Sequence, residues 1–266
     1  MIKALVSIEV DLASSMAVRL ACQLGGLMEM EIQPVYVRQS APHSSAIGTG
    51  WASRTWEREM IEQGKAEISE LLTSEMDFCP VLRDPKVIYG DRDAELLKIT
   101  HAEPFDLYVE GVHFPWTATD FYKSLHAKLY QKLPSPLVLV RTLRKINHVA
   151  VLCLDVRATH TLTSAFQTLW ENSPVPVTLV YPSAGTGNTA NEELSQAVEQ
   201  AKRVLEEAGC SVSIMGTRAA NPTQEAEEIL HDFAIVAIAI ERSIKKEGPE
   251  LQWLSLVKTA ALLAFH

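Results

Sequence analysis

Two acids stand at matching places in this sequence, each closing a short apolar run: Glu9 after KALVSI and Asp155 after HVAVLCL. A carboxylate at the carboxyl end of a strand sits where open α/β sheets receive ligands, so these two are the first candidates for a binding role. The most distinctive local string is His113-Phe114-Pro115-Trp116, just beyond another apolar run. It is read either as a cluster facing a ligand or partner, or as an apolar plug that fills a crevice at the end of a central strand, and the plug is the favoured reading. Tyr122, His126 and Tyr130 recur at i, i+4 and i+8, with Phe121, Leu125 and Leu129 as the neighbouring stripe. Such stripes are helix faces built for core and interface.

Other chemistry finds no constellation. The eight histidines form no HxH or HExxH pattern, and the four cysteines, Cys22, Cys79, Cys153 and Cys210, form no CxxC pair, so no metal site is expected. Cys22 and Cys153 lie in apolar surroundings and read as small core residues. There is no GxSxG elbow for a nucleophilic serine. Gly185-Thr186-Gly187-Asn188 lacks the spacing of a phosphate-binding loop and reads as a turn.

The elements that would position these residues come as one unit written twice. Residues 3–9 and 148–155 are strand-like runs followed by helical stretches at 13–27 and 159–171. The β-branched runs 31–37 and 175–181 follow, each leading to a long amphipathic helix: 55–76 in the first half, and in the second a helix capped by Asn191 and stopped by Gly209. The pairs 85–90 and 211–216, 106–111 and 234–240, and 136–141 and 260–265 complete the series. Asp91 or Asp93 would cap the helix after residue 90, and Asn221-Pro222-Thr223-Gln224 the helix after 216.

Each half therefore reads β-α-β-α-β-α-β-α-β. Alternation of this kind implies right-handed crossovers and a parallel sheet covered on both faces, and the near-continuous apolarity of the strands agrees. We expect two tandem doubly wound five-stranded α/β domains, 1–144 and 145–266. One polar segment, 38–54, breaks the symmetry, with Trp51 and Trp56 as the residues that would anchor it.

Composition bounds the partners. The 266 residues carry 24 Lys+Arg against 33 Asp+Glu, a net charge of −9 shared almost evenly between the halves. That balance argues against nucleic acid or an anionic membrane as a partner. No apolar run is long enough to span a bilayer, and the opening residues run straight into a strand rather than a secretory leader, so a cytoplasmic protein is expected. The apolar last strands, 136–141 and 260–265, would lie at exposed sheet edges. Their economical solution is to pair with each other inside one chain, a pseudo-dimer, leaving helical faces for a possible homodimer or protein partners.

Five strands and four helices, an acid closing the first strand, and the stretches Tyr89-Gly90-Asp91-Arg92-Asp93-Ala94-Glu95-Leu96-Leu97, Asp106-Leu107-Tyr108-Val109-Glu110-Gly111-Val112-His113 and Leu133-Pro134-Ser135-Pro136-Leu137-Val138-Leu139-Val140-Arg141 together resemble the universal stress protein family. The likeness covers essentially the whole chain as a tandem member, the second half being more diverged. It implies an adenine nucleotide alpha hydrolase-like fold and a role in stress response, and single-domain members dimerise through the last strand. ATP-binding members carry Gly-x-x-Gly, a nine-residue gap and Gly-Ser/Thr after the fourth strand. Here only Gly111 and Ser124 match that pattern: Phe114 and Lys123 replace glycines, and Pro115 removes a backbone donor where a phosphate cradle needs one. The second half runs into Glu241-Arg242-Ser243-Ile244-Lys245-Lys246-Glu247, with no such glycines at all. The resemblance thus marks Glu9, Val37, Gly111, His113, Ser124 and Asp155 as vestigial nucleotide-site positions, with Asp155 taken as the counterpart of Glu9. The expectation is a regulatory binding protein that is no enzyme, needs no cofactor and does not bind ATP. The alternative is an adenine-nucleotide module taking ATP or AMP, with weak hydrolysis at a remodelled first-half site. An enzyme of the wider fold group is a third reading, carried by fold analogy alone.

Overall fold

The computed structural model describes residues 1–39, 51–76, 79, 81–182, 189–217 and 224–266. Ten strands form one continuous sheet. The first half contributes β1 (Ile2–Ile8), β2 (Met30–Gln39), β3 (Lys86–Gly90), β4 (Leu107–Gly111) and β5 (Leu137–Val140). The second contributes β6 (Val149–Leu152), β7 (Val177–Pro182), β8 (Val212–Thr217), β9 (Ile235–Ile240) and β10 (Ala260–Phe265). Their order across the sheet is β3-β2-β1-β4-β5-β10-β9-β6-β7-β8. Within each half all pairings are parallel, whereas β5 and β10 run antiparallel, Ala260 opposite Val140 and Leu263 opposite Leu137. The junction therefore buries the last strand of each half as the centre of the sheet.

Because parallel strands are covered on both faces, alternate residues along each strand enter separate cores. One face takes Ala4, Val6, Ile8, Val149, Val151 and Cys153, packed under α1 (Leu12–Gly25), α2 (Trp51–Met76), α6 (Val156–Leu169) and α7 (Thr189–Glu207). The other takes Leu5, Tyr108, Leu152 and Ile238, packed under α3 (Arg92–Ala102), α4 (Ala118–Leu125), α5 (Lys128–Lys132), α8 (Gln224–His231) and α9 (Pro249–Leu256). Both cores run unbroken across the two halves.

Several local expectations shift. α6 starts three residues earlier than the periodicity suggests because the Asp155 side chain accepts from Ala158 N and caps it. α7 begins at Thr189, so Asn191 lies inside its first turn and is not its cap. Gly209 does follow that helix with a positive φ of 83°, the conformation a glycine tolerates best. Asp91, rather than Asp93, caps α3 through Ala94 N. The single helix expected to carry Tyr122, His126 and Tyr130 is broken at His126–Ala127 into α4 and α5, which turns Tyr130 away from the Tyr122–His126 stripe. The Asn221-Pro222-Thr223 cap, the Gly185–Asn188 turn and most of the 38–54 segment fall outside the described residues; Trp56 lies edge-on against Tyr89, 4.7 Å between ring centres.

The reading of Cys22 as an unlinked core residue is overturned. Cys22 on α1 is joined to Cys79 by a disulfide that closes a 57-residue separation, and the neighbouring Arg19–Glu75 ion pair (2.7 Å) ties α1 to the end of α2 at the same place. Cys153 is a free, fully buried thiol, with its pKa pushed up to about 12 by burial. No helix among the described residues is long and apolar enough to cross a membrane, and no cluster of His, Cys, Asp or Glu among them suits a metal ion.

Candidate functional site

The strand order reverses between β1 and β4 in the first half and between β6 and β9 in the second, so the carboxyl ends of those pairs form the two crevices where open α/β sheets bind ligands. In the first crevice Ser7 on β1 pairs in register with Glu110 on β4. Ser7, Glu9, Tyr108 and Glu110 share a face of the sheet, and α3 delivers Arg92 onto them. Asp91 caps the first turn of that helix, and this fixes the direction in which Arg92 leaves it.

Arg92 closes the crevice. Its Nε donates to Glu9 Oε1 (3.0 Å), and its Nη2 donates to Ser7 Oγ (3.0 Å) and Glu110 Oε1 (2.5 Å). The other carboxylate oxygen of Glu110 accepts from Tyr108 (3.2 Å) and from Tyr130 on α5 (3.0 Å). The Arg92 and Glu110 side chains are 18% and 14% exposed, so this is a charge-assisted network largely removed from water. Burial works against the Arg92 charge, but Glu110, the two tyrosines and Glu9 outweigh it and hold the guanidinium protonated. Burial raises the Glu9 pKa, with Arg92 opposing the shift. Burial and the adjacent Glu110 push both Tyr108 and Tyr130 well above the usual phenol range. Beside the bridge remains a hollow of about 210 Å³ lined by Gln39, Gly90, Asp91, Arg92 and Asp93. That is below the roughly 300 Å³ of small-molecule sites, and two aspartates line it.

The six marked residues fall in different places. Glu9 belongs to the Arg92 bridge. Val37 is buried in β2 within the apolar core of the same face. Gly111 meets a steric demand: a Cβ there would lie 2.1 Å from the Ala13 carbonyl oxygen, so glycine lets the start of α1 close onto β4. His113 is exposed and pairs at the rim with Asp11 (2.9 Å). Ser124 lies half-buried in the last turn of α4. Asp155 is on the far half, as the cap of α6.

That last placement corrects the equivalence of Glu9 and Asp155. The residue that caps α1 as Asp155 caps α6 is Asp11, which accepts from Ser14 N (2.7 Å) while Ser14 Oγ accepts from Glu9 N (2.7 Å). Counted from the matching register positions Ser7 and Leu152, the first half carries one more residue before its cap, and Glu9 occupies the place that Leu154 holds in the second half. In sheet register the second crevice sets Leu152 against Ile238 where the first sets Ser7 against Glu110, and Val236 stands where Tyr108 does. Among the described residues these positions of the second crevice are apolar.

The plug reading of His113-Phe114-Pro115-Trp116 is corrected as well. Trp116 turns to the junction of the halves, where its Nε1 donates to Leu254 O on α9 (2.7 Å) and its ring meets Phe121 edge-on at 4.9 Å. Phe114 also stacks edge-on against Phe121. Trp116 thus fastens the two halves, while Phe114 and His113 make their contacts within the first, and the crevice takes the Arg92 side chain instead. Sequence reasoning missed Arg92, Tyr108, Glu110 and Tyr130. The available signal was the alternation Tyr108-x-Glu110, two polar groups on one face of an otherwise apolar strand.

No family model matches the sequence, and no curated protein does. Solved structures do match its fold. A universal stress protein from Archaeoglobus fulgidus superposes with a TM-score of 0.64 at 10% identity, covering 99% of this chain and 96% of that one. The fold is that of the universal stress proteins. A putative universal stress protein from Pseudomonas aeruginosa superposes with a TM-score of 0.56 at 16% identity, covering 99% of this chain and 92% of that one. A second P. aeruginosa protein, described as functionally unknown, reaches 0.50 at 16% identity over the same shares. The universal-stress-protein fold thus extends over both halves of the chain.

Proposed function

We propose that this chain is a tandem, non-enzymatic binding protein of the universal-stress-protein kind, acting in a stress response, whose first crevice is closed by its own Arg92 and does not take ATP. The two units divide at residues 144 and 145. The observation that carries the reading is the Ser7–Glu9–Arg92–Glu110 bridge. A nucleotide entering between β1 and β4 would have to displace a guanidinium held by two carboxylates, and its phosphates would then meet Glu9, Glu110, Asp91 and Asp93. Like charges brought together in a partly dry site repel by several kcal/mol at an effective dielectric of about 20. In the second crevice Leu152, Leu154 and Ile238 offer a phosphate no donor, and Asp155 is engaged as a cap. Pro115 and the missing glycines after β4 support the same reading.

Calorimetric titration of ATP and AMP into the purified protein, with mass spectrometry of any ligand released on denaturation, tests it. No heat of binding at millimolar nucleotide and no co-purified ligand is the expected result. Micromolar binding, or nucleotide released from denatured protein, would overturn the reading in favour of an adenine-nucleotide module.

A further inference from the structure

A cavity of about 520 Å³ opens at the seam of the halves, where the start of β5 meets the end of β10 beneath α6. Its polar side chains are Arg242, His160, His266, Ser135, Thr161 and Ser164. No carboxylate side chain lines it, in a chain whose acids outnumber its bases by nine. Every one of these side chains can donate a hydrogen bond.

Two features single this cavity out. The first is Arg242. Its Nη1 donates to Tyr130 O (3.1 Å) and Gln131 O (2.7 Å), and its Nη2 to Leu133 O (2.7 Å), all at the end of α5. The guanidinium lies over the Phe265 ring at 4.7 Å. Three of its five N–H donors are thus spent on neutral carbonyls. Among the described residues no side-chain carboxylate lies within ion-pair reach of it. The second is Ser135. It is 5% exposed, and its hydroxyl has no hydrogen-bond partner. His266 Nδ1 is also buried without one. Of the five buried side-chain polar atoms left without a partner among the described residues, these two line this one cavity. Buried polar atoms without a protein partner cost about 1–3 kcal/mol each unless a water or ligand satisfies them, and two of them stand beside this guanidinium.

The geometry points to a binding site for a small phosphate-bearing ligand, with Arg242 as the anchoring cation, Ser135 and the imidazoles as inner donors, and Thr161 and Ser164 at the α6 rim. The charge left on Arg242 selects an anion. A planar fork with two unused N–H groups suits the oxygens of a phosphoryl group. The volume exceeds that of phosphate alone and leaves room for a hydroxylated carbon skeleton.

Titration of the full-length protein with inorganic phosphate and, separately, with ribose 5-phosphate tests this, followed by calorimetry and by histidine signals in NMR. We expect saturable binding that perturbs His160 and His266. Equal affinity for the two probes would identify free phosphate as the ligand, and preference for the ester a phosphorylated metabolite; both support the site. Ser164→Glu sets a carboxylate at the exposed rim without touching the core and should weaken binding about tenfold or more, as like charges at close range do. Ser164→Gln, which matches the bulk of glutamate but adds no charge, should weaken binding far less than Ser164→Glu. Absence of saturable binding of both probes would overturn the proposal, and so would equal binding by Ser164→Glu, because the anion would then sit elsewhere. Arg242→Gln should abolish binding but also loosens the end of α5, so the rim variants carry the test.

Discussion

The two crevices share one topology and differ in substance. In the first, Ser7, Glu9 and Glu110 bind Arg92 while Tyr108 and Tyr130 bind Glu110; in the second, Leu152, Leu154, Val236 and Ile238 hold the places of Ser7, Glu9, Tyr108 and Glu110. Among the described residues the first crevice holds charges satisfied among themselves, and the second sets aliphatic side chains at the same positions. A duplicated backbone therefore carries no duplicated chemistry. A polar crevice stays closed only while each of its charges has a partner, and an apolar one closes by packing alone.

That contrast breaks most readily at Arg92. Arg92→Leu leaves Glu110 buried and uncompensated and should cost about 3–5 kcal/mol in urea unfolding. Arg92→Leu combined with Glu110→Leu, which rebuilds the first crevice in the manner of the second, should recover most of that loss. A single variant as stable as the natural chain would show the bridge to be dispensable.

The halves differ next in covalent restraint. Cys22–Cys79 ties α1 to the segment after α2, whereas Cys153 and Cys210 in the second half are free. Reduction should destabilise the chain by about 2–4 kcal/mol, read as a shift of the urea midpoint with and without dithiothreitol. Cys22→Ala should reproduce the shift and remove any further response to reductant.

A smaller difference lies one residue along the fourth strands. Gly111 follows Glu110 as Ala239 follows Ile238, so the second half already accepts the Cβ that the first cannot. Gly111→Ala should cost about 1–3 kcal/mol as overpacking against Ala13 and lower the melting temperature, while Ala239→Gly should relieve no strain.

The smallest contrast is in pH. Burial raises Glu9 above its usual value near 4.5, so the folded state binds the proton more tightly than the unfolded one. That contribution is full below pH 4.5 and fades as pH rises through the folded value. His148 in the second half, bonded to Thr178 Oγ1 at 2.7 Å, has its pKa lowered by burial. Its contribution is present above pH 6.5 and is lost as pH falls towards the folded value. His148→Gln should flatten the stability profile only below pH 6.5, and Glu9→Gln only above pH 4.5.

The strands were legible because each is an apolar run buried on both faces, so their number, order and approximate limits follow from composition alone. Crevice chemistry was not. Arg92 stands 83 residues from Glu9 and 18 from Glu110, and only the folded sheet brings them together. Tyr130 was hidden by a continuous periodicity that the chain interrupts at His126–Ala127, and the Cys22–Cys79 pairing depends on two helices meeting far apart in sequence. Family resemblance located the crevice and the glycine at its edge, but Gly111 is explained by the approach of α1, and Asp155 matches Asp11 rather than Glu9.

The most direct test of the closed first crevice is the Arg92 side-chain Nε–H signal in NMR, followed during addition of ATP. A guanidinium locked between Glu9 and Glu110 should give a sharp signal, protected from exchange with water and unmoved at millimolar ATP. A signal lost to rapid exchange, or one that shifts saturably with ATP, would contradict the account.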